Sequence, residues 1–362
     1  MRYLFSINVL FHEIYPSFRR GSGFGWFRVS DVALYMILTS YLDSWQSKNM
    51  RVFLIGGTGF LGTHLVPKLL DHGNEVTVLT RSREKASRFE SLGIKGVVGD
   101  LLEPQSFISS LSAHDIVISV AMPEIQPRRI SQKQFRVLQK QTATYFSTSI
   151  ATAEELGCPL ILTLGTSFQT KRNEVADESW PIERFGMTKI GELVDPLISR
   201  VIKRGSPPLI QILPGEIYGP GGLFKNLMYE WMKNGKYRII GSGKNYIPRI
   251  YVEDCAGAYI KALERMPLGE KFIIADDEPC TQREFANLMA DCMNVPRPKS
   301  VPAFVIRIVM GKLIYQTVTM NCRVKNAKAK EYLDWKLKYP TYREGLPATI
   351  KEIERGWRQR EV

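Results

Sequence analysis

Residues 51–62 read Arg-Val-Phe-Leu-Ile-Gly-Gly-Thr-Gly-Phe-Leu-Gly, a short apolar run that passes through glycines at 56, 59 and 62 and into a helix. Val52 to Ile55 have strand character, and Phe60 to Leu70 form an amphipathic helix that ends at Gly73. Glu75 to Thr80 give a second strand, so a βαβ unit closes within about thirty residues. Gly56 allows the tight turn. Gly59 lets the backbone approach phosphates where a Cβ would collide, and Gly62 lets the helix pack closely on the strand. The helix N-terminus presents unpaired N–H groups and a partial positive charge to a pyrophosphate. Thr58, Phe60 and Leu61 belong to the same turn and are read with the glycines as a dinucleotide cradle.

The end of the second strand speaks to the cofactor. A carboxylate there would accept hydrogen bonds from an adenosine ribose 2′-OH, whereas an arginine would pair with a 2′-phosphate. This chain has Thr80-Arg81-Ser82-Arg83, with no carboxylate before Glu84. Arg81 and Arg83 therefore predict NADP in preference to NAD, the alternative being two solvated surface charges. Gly96 to Val98 form a third strand, and Gly99-Asp100-Leu101 at its tip puts Asp100 within reach of the adenine amino group.

At 362 residues the chain is long for one core. The sequence divides into an extension (1–49), a nucleotide-binding domain (50–265, with insertions at about 170–184 and 219–246) and a basic substrate-binding lobe (266–362). The extension lacks the charged start, apolar middle and small-residue cleavage site of a secretory signal. The enzyme-like sequence begins at Met50, which is expected to be the biological start, the alternative being an appendage of little order. Cysteines at 158, 255, 280, 292 and 322 have no metal-like spacing. Their odd number and apolar surroundings suggest reduced thiols and a cytoplasmic setting. The four histidines form no ligand cluster, so no metal is expected. No segment is long and apolar enough to cross a membrane. The best candidate, Val301 to Met320, carries Arg307 and Lys312 and reads as one amphipathic helix packed on the C-terminal lobe.

Net charge is +13, and Pro296 to Val362 carry fifteen Lys and Arg against six Asp and Glu, or +9. A basic lobe beside a nucleotide cleft suits a phosphate-bearing substrate, such as a nucleotide-sugar or an acyl-CoA. Lys225, Asn226, Arg249 and Arg323 are the candidate diphosphate contacts. Nucleic acid is a rival partner for the same charge, although no recognised nucleic-acid-binding motif is present.

Further strands fall at Asp115 to Val120, Pro159 to Leu164 and Leu209 to Leu213, alternating with a helix from Ser131 to Leu156. This alternation predicts an α/β fold with a doubly wound parallel sheet. Small residues at Ala121-Met122-Pro123 would line the cofactor cleft, as would Pro214 at the end of a later strand. With these pieces in order, the chain resembles the NAD-dependent epimerase/dehydratase family, the extended short-chain dehydrogenases/reductases. The resemblance rests on Gly56 to Gly62, Asp100, Thr166-Ser167, Phe185 to Lys189, Tyr218-Gly219-Pro220 and Val252-Glu253-Asp254, and covers residues 50 to about 345.

In that family the working group is a Ser or Thr after the fifth strand and a Tyr-x-x-x-Lys one helical turn apart, both facing the nicotinamide. The resemblance implies Thr166 for the first and Lys189 for the lysine, which would hold the nicotinamide ribose. The tyrosine position is Phe185, whose ring can neither give nor take a proton. Loss of a positioned acid costs about 10²–10⁴-fold. Three readings follow. An acid or base has moved, with Tyr218, Glu216, Tyr145 and Glu183 as candidates. Alternatively, Thr166 and a water supply the proton. In the third, the protein binds NADP(H) without chemistry, as a sensor or scaffold. The resemblance also implies a homodimer joined through Ser131–Leu156 and Thr188–Lys203 of each subunit, as a four-helix bundle.

Overall fold

Parallel strands covered on both faces must be apolar along their whole length, and the central strands meet that demand. The computed structural model describes residues 49–124, 129–171 and 173–356. The extension at 1–49 thus lies, except for Asn49, outside the described residues. The chain enters with β1 (Arg51–Ile55), crosses by α1 (Phe60–Asp71) to β2 (Glu75–Thr80), and by α2 (Arg83–Ser91) to β3 (Lys95–Val98). It then turns back through β4 (Ile116–Ser119), α3 (Gln132–Leu156), β5 (Leu160–Thr163), α4 (Asp195–Arg204) and β6 (Leu209–Pro214). Next come β7 (Glu216–Tyr218), α5 (Glu230–Lys233), β8 (Ile239–Ile240), β9 (Tyr246–Ile247), β10 (Arg249–Tyr251), α6 (Val252–Arg265) and β11 (Lys271–Ile274). The remainder is β12 (Cys280–Thr281), α7 (Gln282–Cys292), β13 (Ser300–Val301), α8 (Ala303–Val309), α9 (Lys312–Val318), α10 (Ala327–Leu333) and α11 (Tyr342–Glu354).

Seven strands form one sheet in the order β11-β6-β5-β4-β1-β2-β3, every pair parallel. The expected doubly wound sheet is therefore present. β1 lies between β2 and β4, with Val52 opposite both Val76 and Ile116. The chain reverses its direction of travel across the sheet at this point, and in such sheets ligands bind beyond the carboxyl ends of the strands at the switch. Phe53, Ile55, Val117, Leu160, Leu162 and Ile273 belong to one core cluster, most of them wholly buried. Burying each such side chain contributes about 1.5–3 kcal/mol. Local signals set the helix ends. Ser131 and Gln134 form a reciprocal capping box before α3, and Gly157 in the left-handed region stops it.

Contacts remote in sequence tie the C-terminal part to the sheet. The Asp254 carboxylate, at the start of α6, accepts the backbone N–H groups of Lys338 (2.6 Å) and Tyr339 (3.0 Å). The Trp335 indole donates to the Asp254 carbonyl at 3.0 Å. Glu253 bridges α6 to α1 by pairing with His64 and, at 2.9 Å, with Lys68. Burial opposes ionisation of Glu253, but these two partners hold its carboxyl down to about 2.

Two expected helices are broken. Thr188–Lys203 is not continuous: Gly186–Leu193 wind as a 3₁₀ helix and α4 starts afresh at Asp195. Pro196 has no N–H to donate back into the preceding turn, so it suits a helix start and not a helix interior. Val301–Met320 is likewise two short helices, α8 and α9, separated at Gly311 with φ +85°. That backbone angle lies outside the right-handed helix and favours glycine. Nor does α8 bury any residue. No described helix is long and apolar enough to cross a membrane.

Candidate active site

A cavity of about 890 Å³ opens at the carboxyl ends of β1 and β4. Its floor is the glycine turn. Gly56 has φ +92°, and a Cβ there would lie 2.7 Å from the Ala121 backbone N. A Cβ on Gly62 would fall 2.2 Å from the Gly56 carbonyl oxygen, so only a hydrogen lets α1 start this close to the strand. A Cβ on Gly59, in contrast, would meet only the Gly56 carbonyl oxygen, at 3.3 Å. Gly59 caps α1 without a side-chain hydrogen bond, and no acidic residue stands in the first turn. The open N–H groups of that turn thus suit an anion.

Gly56, Thr58, Gly59, Phe60 and Leu61 line this cavity, and so do Arg81, Asp100, Leu101 and Ala121. Arg83 does not. It is the first residue of α2, and the second cation at this end is Lys85, which the sequence reading missed. Ser82 caps α2 by accepting the Lys85 N–H, which turns the helix so that residue 85 and not residue 83 looks back at the cavity. Asp100 keeps one carboxylate oxygen on the Leu102 N–H at 2.9 Å. These groups suit a dinucleotide: an uncapped helix end for the pyrophosphate, and two exposed cations, Arg81 and Lys85, just beyond β2. Gly62 and Pro214 are not lining residues. Gly62 packs helix on strand, and the Pro214 carbonyl accepts the Thr166 N–H at 3.2 Å.

Of the catalytic candidates, Tyr145, Glu216 and Tyr218 line this cavity. Thr166, Phe185 and Lys189 are absent from its lining. Phe185 precedes the 3₁₀ turn. Residues three apart eclipse in such a turn, so one four residues on lies about a third of a turn round. Phe185 itself is extended (φ −137°, ψ 135°), so no regular helix runs from position 185 to position 189. Lys189 faces Glu192 at 3.6 Å, three residues on, with 40% of its side chain exposed. Tyr218 touches the cavity, but its hydroxyl donates to Asp276 at 3.2 Å inside a cluster with Phe224, Tyr251 and Phe285. Burial pushes the Tyr218 phenol far above its ordinary range and the Asp276 carboxyl up to about 8. Glu183 is exposed and outside the lining; Glu216 pairs with Arg249. Tyr145, half-buried on α3, lines the cavity, and its hydroxyl has no hydrogen-bond partner among the described residues.

The four candidate diphosphate contacts also separate. Asn226 and Arg249 line the cavity; Lys225 and Arg323 do not. Arg249 is 3% exposed, pairs with Glu216 and lies 3.7 Å from the centre of the Phe285 ring. Arg323 stacks over Tyr246 at 4.7 Å. Six apolar side chains, Met122, Ile217, Leu223, Phe224, Leu227 and Met228, also line the cavity, together with Glu216 and Asn226. Four of these six come from 223–229, where the chain winds partly as a π-helix, a form with no simple sequence signature.

Comparison with known proteins agrees with this architecture. A model of the NAD dependent epimerase/dehydratase family matches residues 52–275. The chain is 28% identical over 278 residues to human sterol-4-alpha-carboxylate 3-dehydrogenase, decarboxylating, covering 70% of this chain and 69% of that protein. It is 24% identical over 275 residues to 2-alkyl-3-oxoalkanoate reductase of Stenotrophomonas maltophilia, covering 70% and 79%. Among solved structures, a human epimerase family protein with NADPH superposes with a TM-score of 0.69 at 20% identity, covering 83% of this chain and 99% of that one. The dTDP-glucose 4,6-dehydratase of Streptomyces venezuelae with NAD superposes at 0.71 and 18% identity, covering 86% and 100%. At these identities the structural likeness speaks for the fold.

Proposed function

The chain belongs to the NAD dependent epimerase/dehydratase family, and from that premise we propose that it is an NADP(H)-preferring oxidoreductase that works at a carbonyl or hydroxyl carbon. The observation that carries this is one cavity lined by the open start of α1, by Arg81 and Lys85 and by a set of apolar side chains. The family is NAD(P)-dependent; the preference for the 2′-phosphate rests on Arg81 and Lys85. When bound, the nicotinamide supplies or accepts a hydride. The chain's own task is to orient the dinucleotide through the α1 N-terminus, exclude water, and place a proton.

Phe185 cannot place it, and the Tyr218 hydroxyl is engaged with Asp276. We assign the proton to the Tyr145 hydroxyl, the cavity-lining phenol whose hydroxyl has no internal partner among the described residues. For the substrate, this set of apolar side chains favours a lipophilic ketone or secondary alcohol over the phosphate-bearing one expected from net charge. Arg249 is neutralised by Glu216, while Lys225 and Arg323 stand off the cavity. Relatives named for a sterol carboxylate and an alkyl-oxoalkanoate support the same choice. A second reading, binding without turnover, draws on the Lys189–Glu192 pair and the position of Phe185 outside the lining.

Titrating NADPH and NADH by fluorescence, then assaying a panel of apolar ketones, tests the proposal. Selective NADPH binding with reduction that falls about 10²–10⁴-fold in Tyr145→Phe, affinity unchanged, supports the enzyme. NADPH binding with no turnover of any ketone moves the conclusion to the second reading. Binding of neither cofactor overturns both.

A further inference from the structure

Between Asp291 and Glu331 the chain carries eight Lys and Arg and no Asp or Glu. Five of these cations are occupied. Arg297 pairs with Asp291, Lys325 with Asp177, Lys328 with Glu270 and Lys330 with Asp277, and Arg323 lies over Tyr246. The other three, Lys299, Arg307 and Lys312, are exposed and form no ion pair among the described residues. All three are on α8 or within four residues of it. The same helix shows apolar side chains to solvent: Phe304 is 63% exposed, Ile308 68% and Val309 57%. Phe304 and Ile308 are four apart and share a face, with Arg307 beside them.

We infer that α8 and its three free cations form a reversible docking surface for an anionic membrane. An interfacial helix buries its apolar side chains at the boundary between headgroups and acyl chains and keeps its cations among the headgroups. This patch has both parts, with no carboxylate in the stretch to repel anionic lipid. A second copy of the chain fits less well. Symmetric self-pairing sets the same surface against itself, cations facing cations. Lying on a bilayer is also a different claim from crossing one, for which no described helix is long and apolar enough. Gly311 ends α8 and starts α9, and the two helices stay in contact. α9 packs directly on the 3₁₀ turn, where the Thr317 hydroxyl accepts the Met187 N–H at 2.8 Å. A docked α8 would therefore hold the segment containing Phe185 and Lys189 close to the bilayer surface. This inference stands apart from the enzymatic proposal, because its test needs neither cofactor nor substrate.

The test is sedimentation of the full chain with phosphatidylcholine vesicles, with and without phosphatidylserine, at low and high salt. Expected is binding that requires phosphatidylserine and weakens with salt. Phe304→Ser with Ile308→Ser should reduce it by more than about tenfold. Replacing Lys299, Arg307 and Lys312 by Gln should weaken it roughly fivefold per charge. These residues are exposed, and an unchanged thermal unfolding curve confirms that each variant folds. A Phe304→Trp probe should shift its emission to the blue on adding the anionic vesicles. Equal binding to both vesicle types, wild-type binding by the Ser variant, or an unmoved Trp emission would each overturn the inference. So would a wild-type dimer that the Ser variant converts to monomer without any vesicle binding.

Discussion

The glycine turn of the cleft and the segment around Phe185 are built in opposite ways. The turn, 56–62, lies in one short stretch and closes on itself, with the Gly59 N–H donating to the Gly56 carbonyl at 3.0 Å. The segment around Phe185 is held by long-range bonds: Ser167 to Thr188 at 2.9 Å, Met187 to Thr317, and Thr170 to Asn321 at 2.9 Å. A site made by one local turn tolerates almost no change within that turn. One assembled from distant strands of chain can change in function while the fold stays intact.

Substitution of glycines should show the contrast most strongly. Gly62→Ala forces a Cβ to 2.2 Å from a fixed carbonyl. It is expected to abolish NADPH binding and to lower stability by about 1–3 kcal/mol, read by fluorescence titration and urea unfolding. Gly191→Ala on the other side meets the Arg184 guanidinium at 2.6 Å, the far end of a flexible side chain. It should cost less than about 1 kcal/mol; equal losses for the two variants would end the comparison. Next in size is Arg81→Ala. Removal of a charge-assisted contact should weaken NADPH binding about 10–100-fold and leave NADH binding within about twofold. Parallel weakening of both cofactors would show that Arg81 does not read the 2′-phosphate.

Asp276 sharpens the comparison through pH. Burial raises its folded pKa from 3.8 to about 8. Below pH 3.8 both states hold the proton; between there and about 8 only the folded chain does, so this group's stabilisation drains away as pH rises through that window. Asp276→Asn should flatten the decline, measured by denaturant unfolding at intervals across the window, and an unchanged slope would refute the buried acid. The smallest effect is expected from Phe185→Tyr. Because position 185 lies outside the cavity lining, the new phenol should raise turnover by less than about tenfold, well short of the factor a positioned acid supplies. A gain of that full size would show that the ring reaches the substrate after all.

How far the sequence could be read follows the same divide. The sheet and glycine turn were legible because the signals are local: an apolar run, three glycines, a periodic helix. Gly157 and Ser131 marked the ends of α3 for the same reason. The 3₁₀ winding at Gly186–Leu193 was not legible, because it depends on Pro196 downstream and on Thr317, 130 residues away from Met187. Neither was the inward-facing role of Lys85, which depends on how Ser82 caps α2. Composition counts Arg249 as a cation but cannot show that it lies against Glu216 and an aromatic ring.

The hold of Lys338 and Tyr339 on Asp254 has a consequence for how the molecule comes into being. Chains fold from the N-terminus as they leave the ribosome, and every strand of the main sheet precedes residue 275. The partners of the Asp254 carboxylate and Gly345, whose missing side chain leaves room for the Tyr218 hydroxyl, are made only after that sheet is complete. A nascent chain stalled after its sheet is complete still carries a carboxylate without its two N–H donors. Full stability waits for residues 338–345 to follow. Prematurely terminated products should therefore be cleared by quality control and should not persist as partly working enzyme.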